Sequence, residues 1–171
     1  MKIWIAIILF SLSLIKADAF TFDQASPIRQ GVHVEWYRTV APSLDGSAIF
    51  VWSDTRYGVR NVFAHKIDKN GNFTWGDNGA VITNLPGRQE DPVAIEDGNG
   101  GAFIAWVDYR FDDSGDIFMQ HVNESVAIQM DPNGVALAQQ QGTQISINMC
   151  TDSLGGVCLL YTSDAADDTP C

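Results

Sequence analysis

The stretch Gly100-Gly101-Ala102-Phe103-Ile104-Ala105-Trp106-Val107-Asp108-Tyr109-Arg110 decides the fold of this chain. In it, a nearly continuous apolar run ends in Trp-x-Asp-x-Arg, and the stretch from Gly46 to Arg56 ends in the same way. A third copy begins at Asp152 but soon loses the pattern. Trp106 follows Trp52 at a spacing of about 54 residues, and self-similarity at such a spacing is typical of solenoids, propellers and arrays.

Further segments align between the copies at a slightly longer spacing. Asn61-Val62-Phe63 aligns with Asp116-Ile117-Phe118, and Asn78-Gly79 aligns with Asn133-Gly134. The longer spacing places one inserted residue in the segment 112–115, and insertions belong in loops. Because function is expected where the copies differ, the loop 111–115 is the first place to look for it.

Each copy contains four short runs of strand-forming residues. In the second copy these runs are residues 92–95, 102–107, 116–122 and, more weakly, 127–130. Gly and Asn between the runs, as in Asp97-Gly98-Asn99-Gly100, supply the positive φ that tight hairpins need. No segment after residue 19 shows a helical period. The sequence predicts an all-β chain of four-stranded, β-propeller-like blades in repeats of about 54 residues; a stacked β-solenoid is the structural alternative.

The N-terminal segment, residues 1–19, has the features of a secretory signal peptide. Lys2 precedes an apolar run too short to span a bilayer comfortably, and Ala17-Asp18-Ala19 supplies a small-residue cleavage site. We therefore expect an exported chain, secreted or held at the cell surface, without a membrane span after cleavage. Residues 20–45 then form a partial repeat, 46–99 and 100–154 form two repeats, and 155–157 start another.

The C-terminal tail, residues 158–171, departs from the repeat. Its Cys158-Leu159-Leu160-Tyr161-Thr162-Ser163-Asp164-Ala165-Ala166-Asp167-Asp168 resembles the translation of a sequencing-library adapter. We expect this tail to be foreign to the natural protein. Since a propeller closes its ring with at least about four blades, two whole repeats and two partial ones are expected to be a fragment.

Charge and cysteine content exclude several classes of function. With 10 basic and 21 acidic residues the net charge is −11, which disfavours binding to nucleic acid or anionic membranes. Cys150, Cys158 and Cys171 are odd in number and contain no CxxC, so we predict neither a disulfide framework nor a zinc site.

The repeat resembles a family of secreted bacterial repeat proteins that are common in Bacteroidota. The segments that carry the resemblance are Trp-x-Asp-x-Arg, Asp116-Ile117-Phe118-Met119-Gln120, and Gly71-Asn72-Phe73-Thr74-Trp75-Gly76-Asp77-Asn78-Gly79. The second repeat departs from the pattern, with Met130 in place of Trp75. The resemblance covers residues 45–157 and implies a β-propeller-like fold similar in shape to sialidases, but it assigns no activity.

The recurring polar residues are expected to be structural. Residues two apart on a strand share a face, so each Asp can bind its Arg beside the Trp. Because they recur, we interpret them as a device that fixes each strand end; the alternative is convergence of the arginines on an anionic ligand. These residues are Trp52, Asp54, Arg56, Trp106, Asp108 and Arg110.

No other pattern assigns catalysis. The adjacent acids Glu90-Asp91 could serve a hydrolase, but loop solvation explains them better. Asp68-x-Asn70-x-Asn72 and the segment 112–116 offer oxygen ligands that suit Ca²⁺, although turns use the same residues. We expect no catalytic residues and no cofactor, with calcium as an open alternative. The predicted function is an extracellular binding or scaffold module for a glycan or protein; the alternative is the N-terminal part of a sialidase-like propeller glycosidase.

The origin of the tail can be tested on DNA. Genomic sequence across codon 158 should leave the adapter-like reading after Val157 and continue into another Trp-x-Asp-x-Arg segment. An uninterrupted genomic reading frame that encodes residues 158–171 would contradict the expectation.

Overall fold

A computed structural model of the chain describes residues 35–152 and 155–163. The predicted signal peptide, residues 20–34 and the tail residues 164–171 lie outside this part. Every regular element within it is a β-strand. It contains no helix long and apolar enough to cross a membrane. The expected all-β class is confirmed, with antiparallel four-stranded sheets.

The strands of the described residues form two four-stranded sheets and a two-stranded hairpin, each in sequence order. The first sheet consists of β1 (Glu35–Pro42), β2 (Ala48–Asp54), β3 (Asn61–Ile67) and β4 (Ala80–Val81). The second consists of β5 (Gln89–Glu96), β6 (Ala102–Asp108), β7 (Asp116–Val122) and β8 (Val135–Ala138). The hairpin consists of β9 (Gln144–Thr151) and β10 (Val157–Ser163).

The fourth strand of the second sheet differs from the prediction. Residues 127–130 make only an isolated bridge, between Val122 and Ile128, and the strand that pairs with β7 is β8. The reason lies in two turns. Val126 adopts a φ of 63° and reverses the chain early, and Gly134 at a φ of 79° then redirects it towards β7. The Asn-Gly pair that aligned between the copies therefore marks the start of the fourth strand.

The second sheet is covered on both faces. Alternate residues of β6 point in opposite directions. Ile104 and Trp106 pack in one apolar cluster with residues of the first sheet, such as Val51 and Val62. Ala105 and Val107 pack in another cluster that includes Ile147 of β9. This two-sided burial explains why the stretch from Ala102 to Val107 is nearly continuous in apolar residues.

The chain passes from the first sheet to the second between β4 and β5. The boundaries of the sequence repeats, at 45/46 and 99/100, instead fall inside the β1–β2 and β5–β6 hairpins. At the third copy, β10 pairs with β9 in the register that β6 uses with β5. It carries Tyr161 and Ser163 where β6 carries Trp106 and Asp108. Residues 158–163 of the tail thus belong to strand β10, but they lack the Trp and Asp of the Trp-x-Asp-x-Arg pattern.

One buried side chain of the first sheet has no hydrogen-bond partner. His65 on β3 is fully buried, and neither ring nitrogen makes a hydrogen bond to the described residues. Burial lowers its pKa below 6.5, against the opposing effects of Asp77 and of the neighbouring Lys66 backbone. The equivalent side chain in β7, Gln120, is fully satisfied. Its Nε2 donates to the Asp131 carbonyl at 2.7 Å, and its Oε1 accepts from the backbone N–H groups of His121 and Met130.

We expect His65→Gln to stabilise the protein by about 1 kcal/mol at pH 7.5, because an unsatisfied buried group costs about 1–3 kcal/mol. The glutamine would find partners at the equivalent backbone groups of Gly76, Lys66 and Trp75. Since the pKa of folded His65 is depressed, the unfolded chain takes up a proton first, and wild-type stability falls as the pH drops below 6.5. The advantage of the variant should therefore grow at pH 5.5, as measured by urea unfolding.

The reverse substitution Gln120→His is the matched control and should destabilise the second sheet by a similar amount. A loss of stability in His65→Gln, or an advantage that shrinks on acidification, would contradict the prediction.

Candidate functional site

The Trp-x-Asp-x-Arg residues form the same hydrogen-bonded arrangement in both sheets. In the first sheet the indole Nε1 of Trp52 donates to Asp54 Oδ2 at 2.9 Å, and Arg56 Nη2 lies 2.5 Å from the same oxygen. In the second sheet the corresponding distances from Asp108 Oδ2 are 2.8 Å to Trp106 and 2.6 Å to the arginine. Both carboxylates are buried. We call each set the Trp-Asp-Arg clamp.

Each clamp holds the turn that precedes the fourth strand of its own sheet. Arg56 Nη1 donates to the Asn78 carbonyl at 2.9 Å, and Arg110 donates to the Asn133 carbonyl at 2.8 Å. The glycine that follows lies against the indole, since a Cβ at Gly79 would stand 2.5 Å from the Trp52 ring. The two clamps therefore act within separate sheets, and each arginine binds its own Asp and its own turn.

The electrostatics of the first clamp favour an ionised carboxylate. Burial opposes the charge on Asp54, but hydrogen bonds from the Arg56 side chain and backbone and from Trp52 outweigh it and hold the pKa of Asp54 below 3.8. The guanidinium of Arg56 also lies 3.8 Å from the centre of the Phe63 ring, a cation–π contact.

A separate pocket lies where the first strands of the three sheets meet. Its walls come from residues 38–39 of β1, 90–93 of β5 and 145–147 of β9, together with Tyr109. The cavity measures about 530 Å³ and is open to solvent. That volume is in the range of small-ligand sites. Thr39 Oγ1 donates to the Pro92 carbonyl at 3.0 Å and ties two of the strands together.

Each of the three strands is irregular at this pocket. The register shifts between Trp36 and Arg38 in β1 and between Glu90 and Val93 in β5, and β9 shifts opposite Leu160–Thr162. Asp91 and Ser146, at equivalent positions of consecutive hairpins, have φ values of 48° and 59°. Such backbone costs about 1–3 kcal/mol for a residue other than glycine and is concentrated at functional sites.

A charge cluster around the buried Glu90 borders the pocket. Glu90 is only 6% exposed and forms an ion pair with Arg60, while Arg88 Nε lies 3.3 Å from its Oε1. The Arg88 guanidinium stacks 3.9 Å from the centre of the Tyr109 ring. The interpretation of Glu90-Asp91 as solvated loop acids is therefore wrong, since both residues belong to β5 and line a cavity.

Two groups of the pocket have raised pKa values. Burial and the neighbouring Glu90 carboxylate raise the pKa of Asp91, against the opposing effect of Arg60. Burial and Glu90 also raise the pKa of Tyr109, against Arg88. The pocket thus offers guanidinium and phenol donors, a carboxyl group with a raised pKa and apolar walls at Val93 and Ile147. Such a lining suits a ligand rich in hydroxyl groups.

The predicted calcium residues take part in hairpin turns. Asp68 Oδ1 accepts from the backbone N–H groups of Asn70 and Asn72, each at 2.8 Å, and Asp112 Oδ1 accepts from Ser114 and Gly115. Within residues 35–152 and 155–163, no group of three or more His, Cys, Asp or Glu side chains is placed to hold a metal ion. Calcium binding at these turns stays a prediction from the sequence.

Sequence reasoning missed Arg38, Tyr109 and Ser146 as pocket residues. One difference between the repeats pointed to this pocket. Asp91 and Ser146 occupy equivalent positions, because their strands have the same hairpin register, but they are unlike residues. The inserted loop 111–115 does not line the pocket. Two of its residues contact the pocket's surroundings: the Asp113 carboxylate lies 3.7 Å from Arg88, and a Cβ at Gly115 would stand 2.9 Å from the Tyr109 ring.

No family model, curated protein or solved structure matches the chain. The chemistry of the pocket must therefore be inferred from its own side chains.

We expect Asp54→Asn to destabilise the protein by about 2 kcal/mol at pH 7, because a hydrogen bond to a charged group contributes about 1.5–3 kcal/mol. The pKa of folded Asp54 is depressed, so its contribution is present above pH 3.8 and is lost as the pH falls through the folded value. The difference between wild type and variant should shrink between pH 5 and pH 3 in urea unfolding.

Asp113→Asn is the control, because that side chain is fully exposed and solvent screens its ion pair, so its loss should change stability very little. Equal costs for the two substitutions, or a difference that widens in acid, would contradict a structural role for the clamp.

Proposed function

We propose that this chain is an exported binding module of β-propeller-like architecture, secreted or displayed at the cell surface. The two four-stranded sheets would be consecutive blades and the β9–β10 hairpin the start of a third. The proposal is supported by the sequential strand order of the sheets, their face-to-face packing and the meeting of their first strands. Export rests on residues 1–19, which lie outside the described residues.

We place the ligand site at the pocket between β1, β5 and β9. The observation that carries this assignment is the coincidence of a cavity of about 530 Å³ with positive φ at Asp91 and Ser146. β-Bulges and positive-φ residues are enriched beside binding and active sites, where they aim a side chain out of the strand. Polar side chains among apolar walls favour a saccharide, whose hydroxyl groups and C–H faces need both kinds of contact.

A glycosidase is the second candidate, and a specific observation favours it. Glu90 is held by two arginines, while the neighbouring Asp91 has a raised pKa. Carboxyl groups with unlike environments are the usual acid and base of glycoside hydrolysis. The burial of Glu90 beneath ion pairs weighs against this role, so binding without catalysis is the first proposal.

The test is binding of the exported chain to a panel of immobilised neutral and acidic oligosaccharides. Arg38 is exposed, so Arg38→Ala should preserve the melting temperature and weaken binding at least tenfold. Lys69→Ala removes an exposed cation that does not line the pocket and should leave binding unchanged.

If no saccharide binds, or if both variants weaken binding equally, the proposal fails. Release of reducing ends from a bound saccharide, abolished by Asp91→Asn, would establish the glycosidase instead.

A further inference from the structure

We infer that the ligand is a neutral β-1,4-linked polysaccharide chain. It runs out of the pocket across the end of the sheets where β2 and β6 terminate, and it stacks sugar rings on Tyr57 and Phe111. This inference rests on the proposed function and specifies its ligand. It draws on the exposure of the two aromatic rings, their equivalent places in the repeats and the contacts that join their loops to the pocket.

Tyr57 and Phe111 have the most exposed aromatic rings among the side chains that the structure describes. Phe111 is 62% exposed and Tyr57 is 52% exposed, although aromatic rings usually contribute to protein interiors. Each ring directly follows the arginine of a Trp-Asp-Arg clamp, Arg56 or Arg110, so the two rings occupy equivalent positions. An aromatic ring at the same exposed place in two sheets suits a ligand that makes the same contact twice.

Each of the two rings is held in place by its own sheet. The centre of the Tyr57 ring lies 5.9 Å from the centre of the Phe63 ring, and the corresponding distance from Phe111 to Phe118 is 6.1 Å. The guanidinium of Arg110 also lies 5.5 Å from the centre of the Phe111 ring. Because these contacts restrict the rings before a ligand arrives, stacking against a sugar costs little side-chain entropy.

The loop that carries Tyr57 is joined to the pocket through Arg60. The side chain of Arg60 forms an ion pair with Glu90, which lines the pocket. The carbonyl oxygen of Arg60 accepts a hydrogen bond from the Gln89 N–H at 2.9 Å, at the start of β5. The loop therefore borders the strand that supplies the middle of the pocket.

The loop that carries Phe111 has the same relation to the next strand. Tyr109, two residues before Phe111, lines the pocket. At the far end of the loop, the Gly115 carbonyl accepts a hydrogen bond from the Gln144 N–H at 3.3 Å, at the start of β9. The two exposed rings thus stand on loops that border the pocket on either side, and a ligand longer than the cavity can reach both.

The distribution of charge favours a neutral chain over an acidic one. The net charge of −11 repels an acidic polymer at long range. At the pocket three arginines stand against three acids, so there is no local excess of positive charge to offset that repulsion. A neutral chain avoids the repulsion. In a β-1,4-linked chain with equatorial hydroxyl groups, each sugar also presents a flat C–H face that an aromatic ring can cover.

The experiment is calorimetry of the exported chain with cellobiose and with cellohexaose, a short and a long member of one neutral β-1,4-linked series. We expect cellohexaose to bind at least tenfold more tightly, because only the longer chain reaches the rings outside the pocket. Phe111→Leu and Tyr57→Leu should each reduce this gain at least threefold and leave cellobiose binding unchanged. Leucine still covers the clamp arginine but lacks the flat ring.

Two further variants serve as controls. Phe111→Tyr keeps an aromatic ring at the same place and should retain the full gain. Leu44→Ala removes a side chain that is 97% exposed in the β1–β2 turn, at the opposite end of the first sheet, and should behave as wild type. The melting temperatures of all variants should stay at the wild-type value.

Three results would overturn the inference. Equal affinity for cellobiose and cellohexaose would refute the extended contact while leaving a saccharide-binding module in place. A gain that both leucine variants retain, or that Leu44→Ala reduces as much as they do, would show that the rings only cover the clamps. Binding of neither compound, while other saccharides of the panel bind, would refute this ligand class without refuting the proposed function.

Discussion

The buried carboxylate of the Trp-Asp-Arg clamp is the interaction on which the rest of the structure depends. It accepts from an indole N–H and a guanidinium at the end of the second strand, and the same arginine holds the carbonyl of the Asn-Gly turn. One charged group thus connects the second strand to the start of the fourth. Because the carboxylate is buried, removing any one partner leaves a polar group without a hydrogen bond. An incomplete clamp therefore lowers the stability of the fold considerably.

The clamps determine which positions can differ between the repeats. They lie at the ends of β2 and β6, and the apolar faces of these strands are buried between neighbouring sheets. The first strands carry no part of a clamp, and they meet at the pocket with irregular register. Residues at equivalent positions there differ in charge and size, as Asp91 and Ser146 do. The architecture thus separates a constant supporting frame from a row of variable positions, a common division in proteins that bind ligands.

Much of the fold could be predicted from local patterns. The short apolar runs indicated strands, and the Gly- and Asn-rich segments indicated hairpins; the structure shows both features. The prediction of the fourth strand was wrong because residues 127–130 have strand propensity but make only an isolated bridge to β7, whereas β8 pairs with β7 after the turn at Gly134. A strand exists only where another strand receives its hydrogen bonds, and a propensity does not contain that information.

The sequence by itself determined the all-β class, the spacing of the clamps and the residues that form them, because these depend on patterns repeated within short segments. Only the tertiary structure decided that Glu90 and Asp91 belong to a strand, that Arg60 and Arg88 neutralise a buried acid, and that Arg38, Asp91 and Ser146 share one cavity. The three cavity residues stand on three sheets, and about one repeat of chain separates each from the next. Their proximity comes from the packing of whole sheets, which no local pattern encodes.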